Sequence, residues 1–319
     1  MTKFSSADIP DLSSKVYVVT GGNSGIGLAA VTELASKGAK VYIASRSEER
    51  IQNAISKIKT TYPDSHVKPL IVDFANVRQS VQVAESFVKM EPELDGLILN
   101  AGLVSTPKLF TLDGVEETFT VNYLSQFAFS QKLWVSLERR ASHSGADVRV
   151  VITGSDSYLN ARPLDYNEIS VEPKNHRGGI RDVWALFTRY GRSKLAIMLY
   201  GHQLAKKVAD MGIDNIYVNI INPGAVYTNI FWAGKGVVGW LIYPVSWMLR
   251  LFAKSPEKAA LPLLYAATSP EIREKNIKDR YIGVPANDET EAMKSIARDT
   301  DTASGLWEWS EKTVSRICG

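Results

Sequence analysis

The chain has 319 residues, 45% hydrophobic and 22% charged, and its 37 Lys and Arg against 34 Asp and Glu leave a net charge of +3. That composition excludes disordered, collagen-like and coiled-coil classes, and near-balanced charge without a long basic run speaks against nucleic acid as a partner. One cysteine, Cys318, and four histidines exclude an internal disulfide and give no Cys/His cluster at ligand spacing, so no metal is expected.

The opening MTKFSSADIPDLSSK lacks the apolar stretch of a signal peptide. Val16–Val19 is a short, unbroken apolar run, the pattern of a strand buried on both faces of a parallel sheet. It runs into a glycine-rich turn, and Leu28–Lys37 reads as a helix closed by Gly38. Strands are expected at Lys40–Ala44, Val67–Val72 and Leu97–Asn100, with helices at Glu48–Thr60, Val77–Met90 and Val115–Leu137. Val148–Thr153 and Ile216–Ile221 complete the strong strands, Trp184–Met211 is a second long helix, and Arg280–Val284 is a weaker strand candidate. Alternating strands and helices predict an α/β fold: one Rossmann-type, doubly wound parallel sheet of about seven strands, helices on both faces, in a single domain over 1–319. Two stretches break the rhythm: Ser157–Arg181, polar and read as a loop beside the site, and the aromatic, apolar 231–252.

The glycines Gly21, Gly25 and Gly27 stand between the first strand and the first helix. There the backbone can turn sharply and helix N–H groups can face a pyrophosphate. Taken alone they also fit plain turn residues. Ser45-Arg46 follows the second strand, where an acidic residue suits NAD and an arginine the 2′-phosphate of NADP; a solvated strand-end arginine is the competing reading. Tyr190 and Lys194 lie four apart on a predicted helix and share a face. An ammonium beside a phenol stabilises the phenolate and lowers its pKa, which makes proton exchange with an alcohol or carbonyl oxygen feasible. The same spacing also occurs by chance on many helices.

In order along roughly residues 15 to 230, these segments resemble the short-chain dehydrogenase/reductase family. Thr20-Gly21-x-x-x-Gly25-Ile26-Gly27, with Asn23 and Ser24 inside it, matches the cofactor turn; Asp73 resembles the acidic residue that contacts adenine; Asn100-Ala101-Gly102 matches the element ending the fourth strand. Asn122 falls at the catalytic-helix asparagine, Ser155 at the catalytic serine, and Tyr190-Gly-Arg-Ser-Lys194 at the Tyr-x-x-x-Lys signature. Pro223-Gly224 follows the sixth strand, Val226 comes next, and Thr228 sits where a family threonine meets the nicotinamide amide. The resemblance implies Tyr190 as general acid in reduction and base in oxidation, with Lys194 lowering its pKa and binding the nicotinamide ribose. Ser155 would stabilise charge on the substrate oxygen, with Ser157 as its neighbouring competitor. Asn122 would hold a water in a proton relay, or else satisfy backbone groups at a helix irregularity.

Ser255-Pro256-Glu257-Lys258-Ala259-Ala260 and Leu306-Trp307-Glu308-Trp309-Ser310 resemble the retinol-dehydrogenase-like branch more loosely. The family places a lid after the Pro-Gly element, here about 228–256. An aromatic lid would favour a bulky hydrophobic carbonyl or alcohol. The 231–252 stretch also reads as an interfacial membrane contact or as a core or oligomer contact. The expectation is an NADP(H)-dependent oxidoreductase that is soluble and cytoplasmic, with peripheral membrane contact and a homodimer through the two long helices left open. The alternative is a non-catalytic NADP(H)-binding regulator or scaffold of the same fold. Reduction of a carbon–carbon double bond, as in protochlorophyllide reductases, is disfavoured because those enzymes use cysteines and the one cysteine here is terminal.

Overall fold

Val16–Thr20 (β1) is β-branched and almost wholly buried, which suits it to the centre of a sheet covered on both sides. The structure, a computed structural model, describes residues 4–104, 109–170, 180–224 and 254–319, with the backbone alone of 180–185. Around β1 lie Lys40–Ser45 (β2), Val67–Ile71 (β3), Gly96–Leu99 (β4), Val148–Thr153 (β5), Ile216–Ile221 (β6), Tyr281–Gly283 (β7) and Asn287–Asp288 (β8). Their order is β3-β2-β1-β4-β5-β6-β7-β8; the first seven are parallel, and only the two-residue β8 runs against its neighbour. The order reverses between β1 and β4, and the crevice beyond the carboxyl ends of those strands is where this architecture receives ligands.

One face of the sheet carries Gly25–Ser36 (α1), Glu48–Thr61 (α2) and, from the far end of the chain, a helix over Pro256–Thr268. The other carries Val77–Met90 (α3), the segment Glu117–Phe119 (α4), Ser125–Ala141 (α5) and Ile180–Asp210 (α7). Between β5 and α7 lies the short helix Tyr166–Ser170 (α6), and the C-terminal part adds Pro256–Thr268 (α8), Pro270–Glu274 (α9) and Thr300–Cys318 (α10). Helical spacing explains the packing: α3 buries Val77, Val81, Ala84 and Phe87 on one stripe.

The structure departs from the sequence expectation at several points. Val115–Leu137 is not one continuous helix, because a π-helical turn at Thr120–Leu124 separates α4 from α5. Ser157–Arg181 is not wholly a loop: a 3-10 helix spans Asp156–Asn160, capped by Ser155, and Asp165 accepts the Asn167 amide at 2.9 Å to start α6. The second long helix begins at Ile180 rather than Trp184. Finally, α10 lies on α7 and α3, with Trp307 stacked on Tyr200 at 5.6 Å and edge-on to Phe127 at 5.2 Å. Part of the face offered by the two long helices is therefore covered by the chain's own C-terminal helix. Among the described residues no helix is long and apolar enough to cross a membrane. Val226, Thr228, the 231–252 segment and most of the expected lid at 228–256 lie outside the described residues.

Candidate active site

The β1 exit is a backbone cradle. Gly21 has φ +67°, and a Cβ there would stand 3.0 Å from the Ala101 Cα; a Cβ on Gly27 would stand 2.4 Å from the Gly21 carbonyl oxygen. Side chains at either position would fill the space, so glycine is required for the turn and for the close approach of α1. Gly25 opens α1 at φ +54°. No acidic residue stands in its first turn, and the Ser24 side chain makes no capping bond, so the first amides of the helix are left to an anion. Ser24 is exposed, while Asn23 and Ile26 are partly buried beside it. These features fit a dinucleotide pyrophosphate. Arg46 is exposed one residue beyond β2. Asp73 is half-buried after β3, and one carboxylate oxygen accepts the Ala75 amide at 3.0 Å. At the β6 exit Pro223 is buried, and Gly224, at φ +71°, donates its amide to Asn222 Oδ1 at 3.0 Å.

The β4 exit closes on the same cradle. Asn100 Nδ2 donates to the Thr20 carbonyl at 3.0 Å, and the Asn100 and Ala101 amides both donate to Thr20 Oγ1, at 2.8 and 2.9 Å. Gly102 leaves room for what lies behind it: a Cβ there would be 3.3 Å from Asn122 Oδ1 and 3.9 Å from Lys194 Nζ.

Tyr190 and Lys194, one turn apart on α7, are 9% and 5% exposed. Lys194 Nζ lies 5.8 Å from the Tyr190 ring centroid and donates to the Thr153 carbonyl at the end of β5, at 2.9 Å. The Ser155 side chain faces the Tyr190 hydroxyl and acts on its ionisation. Ser157 stands behind that serine: its amide donates to Ser155 Oγ at 3.1 Å, and the two hydroxyls are 3.0 Å apart. Burial pushes the Tyr190 phenol up to about 12, with Ser155 pulling the other way, and burial brings the Lys194 ammonium down to about 8. For the protein alone the phenol is thus raised by desolvation, not lowered as expected from a neighbouring ammonium. Val104 and Leu186 pack with Tyr190 in a small buried cluster, an apolar wall beside the phenol.

Asn122 lies inside the π-helical turn, 2% exposed. Its amide donates to the Leu103 carbonyl and to Ser193 Oγ, both at 2.9 Å, and its Oδ1 accepts the Leu103 amide at 2.7 Å. Both amide hydrogens are used, so the side chain stitches the irregular helix to the β4 exit.

Three residues to which the sequence assigned no role of their own complete the arrangement. Ser193 donates to the Tyr190 carbonyl at 2.8 Å while accepting from Asn122. Thr20 Oγ1 is the hub of the β1–β4 junction. Gly191 lets the Ser155 loop press against α7, since a Cβ there would lie 2.5 Å from the Ser157 carbonyl oxygen. A glycine inside a predicted helix is a signal of close backbone approach that could have been read.

A doubly wound sheet with a glycine cradle at its switch point and a buried Tyr–Lys pair beside it defines a dinucleotide-dependent oxidoreductase. The family model for short chain dehydrogenases matches residues 15–163. An uncharacterized oxidoreductase of Schizosaccharomyces pombe is 36% identical, covering 88% of this chain and 79% of that protein. The short-chain dehydrogenase/reductase drtF of Aspergillus calidoustus is 32% identical, covering 97% and 96%. The human WW domain-containing oxidoreductase is 31% identical, over 97% of this chain and 70% of that protein. Among solved structures, an uncharacterized protein from Mycobacterium paratuberculosis superposes with a TM-score of 0.73 at 23% identity, covering 98% of each chain. A short chain oxidoreductase from Pseudomonas aeruginosa with NADPH bound gives 0.62 at 22% identity, over 86% of this chain and 96% of that one. The chain belongs to the short-chain dehydrogenase/reductase family.

Proposed function

We propose that this chain is an NADP(H)-dependent oxidoreductase that interconverts a hydrophobic ketone or aldehyde and its alcohol, with Tyr190 as the proton-transferring group. The observation that carries the reading is the buried Tyr190–Lys194 pair, with half-buried Ser155 next to it, beside the Asn100–Gly102 end of the cradle. Arg46 supports the phosphorylated cofactor, and the Pseudomonas structural neighbour holds NADPH. Val104 and Leu186 beside the phenol support an apolar substrate. The aromatic 231–252 sequence supports the same class, as a cover or as a contact with a membrane surface.

The glycine turn and the α1 amides would hold the pyrophosphate, Asp73 the adenine side, and Lys194 the nicotinamide ribose. When bound, the reduced cofactor supplies a hydride to the carbonyl carbon. Tyr190 gives its Oη proton to the carbonyl oxygen, so the phenol O–H bond breaks as the alcohol O–H bond forms. Ser155 turns its hydroxyl from Ser157 to that oxygen and stabilises the charge gathering there. The phenolate regains a proton from Lys194, which takes one back from solvent. Oxidation runs the same steps backwards, with Tyr190 as base. A phenol near 12 stays protonated at neutral pH, the state that reduction needs.

The test is a panel of hydrophobic ketones and aldehydes incubated with the full chain and NADPH deuterated at the transferring position. The reading requires deuterium at the carbinol carbon and a preference for NADPH over NADH. Tight NADPH binding with no reduction across the panel, and no oxidation of the matching alcohols, would overturn it in favour of a non-catalytic binding protein.

A further inference from the structure

Four consecutive residues at the β4 exit, 100 to 103, are held by two amide side chains that stand one turn apart on a single helical segment. Asn122 grips the far end, bonding both the amide and the carbonyl of Leu103. Gln126, in the first turn of α5 and 1% exposed, grips the near end through an intermediary. Its Oε1 accepts the Thr20 hydroxyl at 3.0 Å, and its Nε2 donates to the Val121 carbonyl, inside the π-helical turn, at 3.3 Å.

The stoichiometry of the Thr20 hydroxyl gives this contact its consequence. A hydroxyl has one hydrogen and two lone pairs. Here the hydrogen goes to Gln126, and the lone pairs face the Asn100 and Ala101 amides at 2.8 and 2.9 Å. Without an acceptor at Gln126, a fully buried hydroxyl would have to seek another partner for its hydrogen. Turning the hydrogen elsewhere turns a lone pair away from one of the two amides. Those amides belong to the segment that packs against Gly21 and Gly27 on one side and reaches Lys194 through Gly102 on the other.

We infer that Gln126 is a positioning residue for cofactor binding: by fixing the direction of the Thr20 hydroxyl it holds Asn100–Gly102 against the glycine turn, while its own amide ties that junction to the π-helical turn that carries Asn122. The inference rests on the reading of this crevice as an NADP(H) site. It assigns Gln126 no contact with cofactor or substrate.

The test is NADPH affinity of the full chain by fluorescence titration, which needs no turnover, together with thermal unfolding and the split between KM and kcat. Gln126→Met keeps the shape and removes both hydrogen bonds; Thr20→Val removes the hydroxyl at nearly constant volume. Gln126→Met should weaken NADPH binding about tenfold, the size of one buried hydrogen bond, and Thr20→Val by at least as much, because it also takes the acceptor from the Asn100 and Ala101 amides. The double variant should lose little more than Thr20→Val alone, because the Gln126 contact acts through that hydroxyl. Gln126→Glu, assayed at about pH 6 where burial favours the protonated carboxyl, keeps an acceptor for Thr20 and a donor for the Val121 carbonyl, and should bind NADPH more tightly than Gln126→Met, with a smaller rise in KM for NADPH. Wild-type NADPH affinity in Gln126→Met, even with a lowered melting temperature, would overturn the inference, and so would additive losses in the double variant. Should Gln126→Met not fold, Gln126→Glu decides: affinity as poor as that of Thr20→Val would also overturn it. A wild-type chain that does not bind NADPH would instead overturn the proposed function.

Discussion

Gly191→Ala sets two physical effects against each other. Alanine inside a helix is favoured over glycine by about 1 kcal/mol, so propensity alone says the substitution stabilises. The packing says the reverse, because the added Cβ would lie 2.5 Å from the Ser157 carbonyl oxygen and 3.0 Å from the Ala161 amide nitrogen. Both atoms are backbone of the turn that follows Ser155, so no flexible side-chain end can swing aside. Ordinary Cβ contacts begin near 3.4 Å, so the turn must retreat by about 0.9 Å. Forced overpacking of this kind costs about 1–3 kcal/mol; at the upper end it exceeds the helical gain and leaves a loss of about 2 kcal/mol. Ser155 moves with the turn, since its Oγ accepts the Ser157 amide. A misplacement of about 1 Å at a reacting group costs on the order of a hundredfold in rate. Calorimetric melting, NADPH titration and kcat/KM on a reducible ketone read the three effects separately. The expected result is a melting temperature lowered by a few degrees, kcat/KM lowered ten- to a hundredfold, and NADPH binding unchanged. A higher melting temperature with kcat/KM intact would refute the packing argument.

Three further outcomes follow from the same geometry. Burial holds Lys194 near 8 against an ordinary 10.5, so the unfolded chain binds a proton that the native chain resists. The ammonium therefore costs stability at pH 7, on the order of 3 kcal/mol, and the cost fades as pH rises from about 8 to 10.5. Urea unfolding should show Lys194→Met more stable than wild type at pH 7, with the gap closing by pH 10.5; a gap independent of pH would contradict the assignment. Gly27→Ala puts a Cβ 2.4 Å from the Gly21 carbonyl oxygen and should abolish NADPH binding measured by fluorescence titration; near-normal affinity would mean that the cradle is not the nucleotide site. Arg46→Ala should raise the KM for NADPH about tenfold or more, the scale of a charge-assisted hydrogen bond, while leaving the KM for NADH unchanged. An equal effect on both cofactors would remove Arg46 from the choice between them.

The central strands were legible because they are compact apolar runs with turn signals at their ends, as at Val16–Thr20 and Ile216–Ile221, whereas the two-residue, polar β8 at Asn287–Asp288 gave no such signal. Periodicity could not show the π-helical turn, since Thr120–Leu124 continues the apolar pattern and differs only in which carbonyl each amide meets. The 3-10 turn and α6 were hidden by a polar, Pro- and Gly-rich composition, although Tyr158 and Ile169 are buried there. At the site, spacing brought Tyr190 and Lys194 together, and sequence order supplied Ser155 and Asn122. The partners that orient them were not legible. Thr20, Gln126 and Ser193 act through hydrogen bonds between residues about 70 to 106 apart in the chain, and no local pattern encodes such contacts. The rise of the phenol to about 12 was likewise invisible, because it comes from burial by elements far apart in sequence.

Tyr190→Phe tests the central claim most directly, because it removes one oxygen from a buried ring and leaves the packing of Val104 and Leu186 in place. Kinetics and NADPH titration should be run on the same preparation. The account predicts unchanged NADPH affinity with turnover lowered by about a thousandfold or more, the contribution of a positioned general acid. Turnover within a few-fold of wild type would contradict it and move proton transfer to another group.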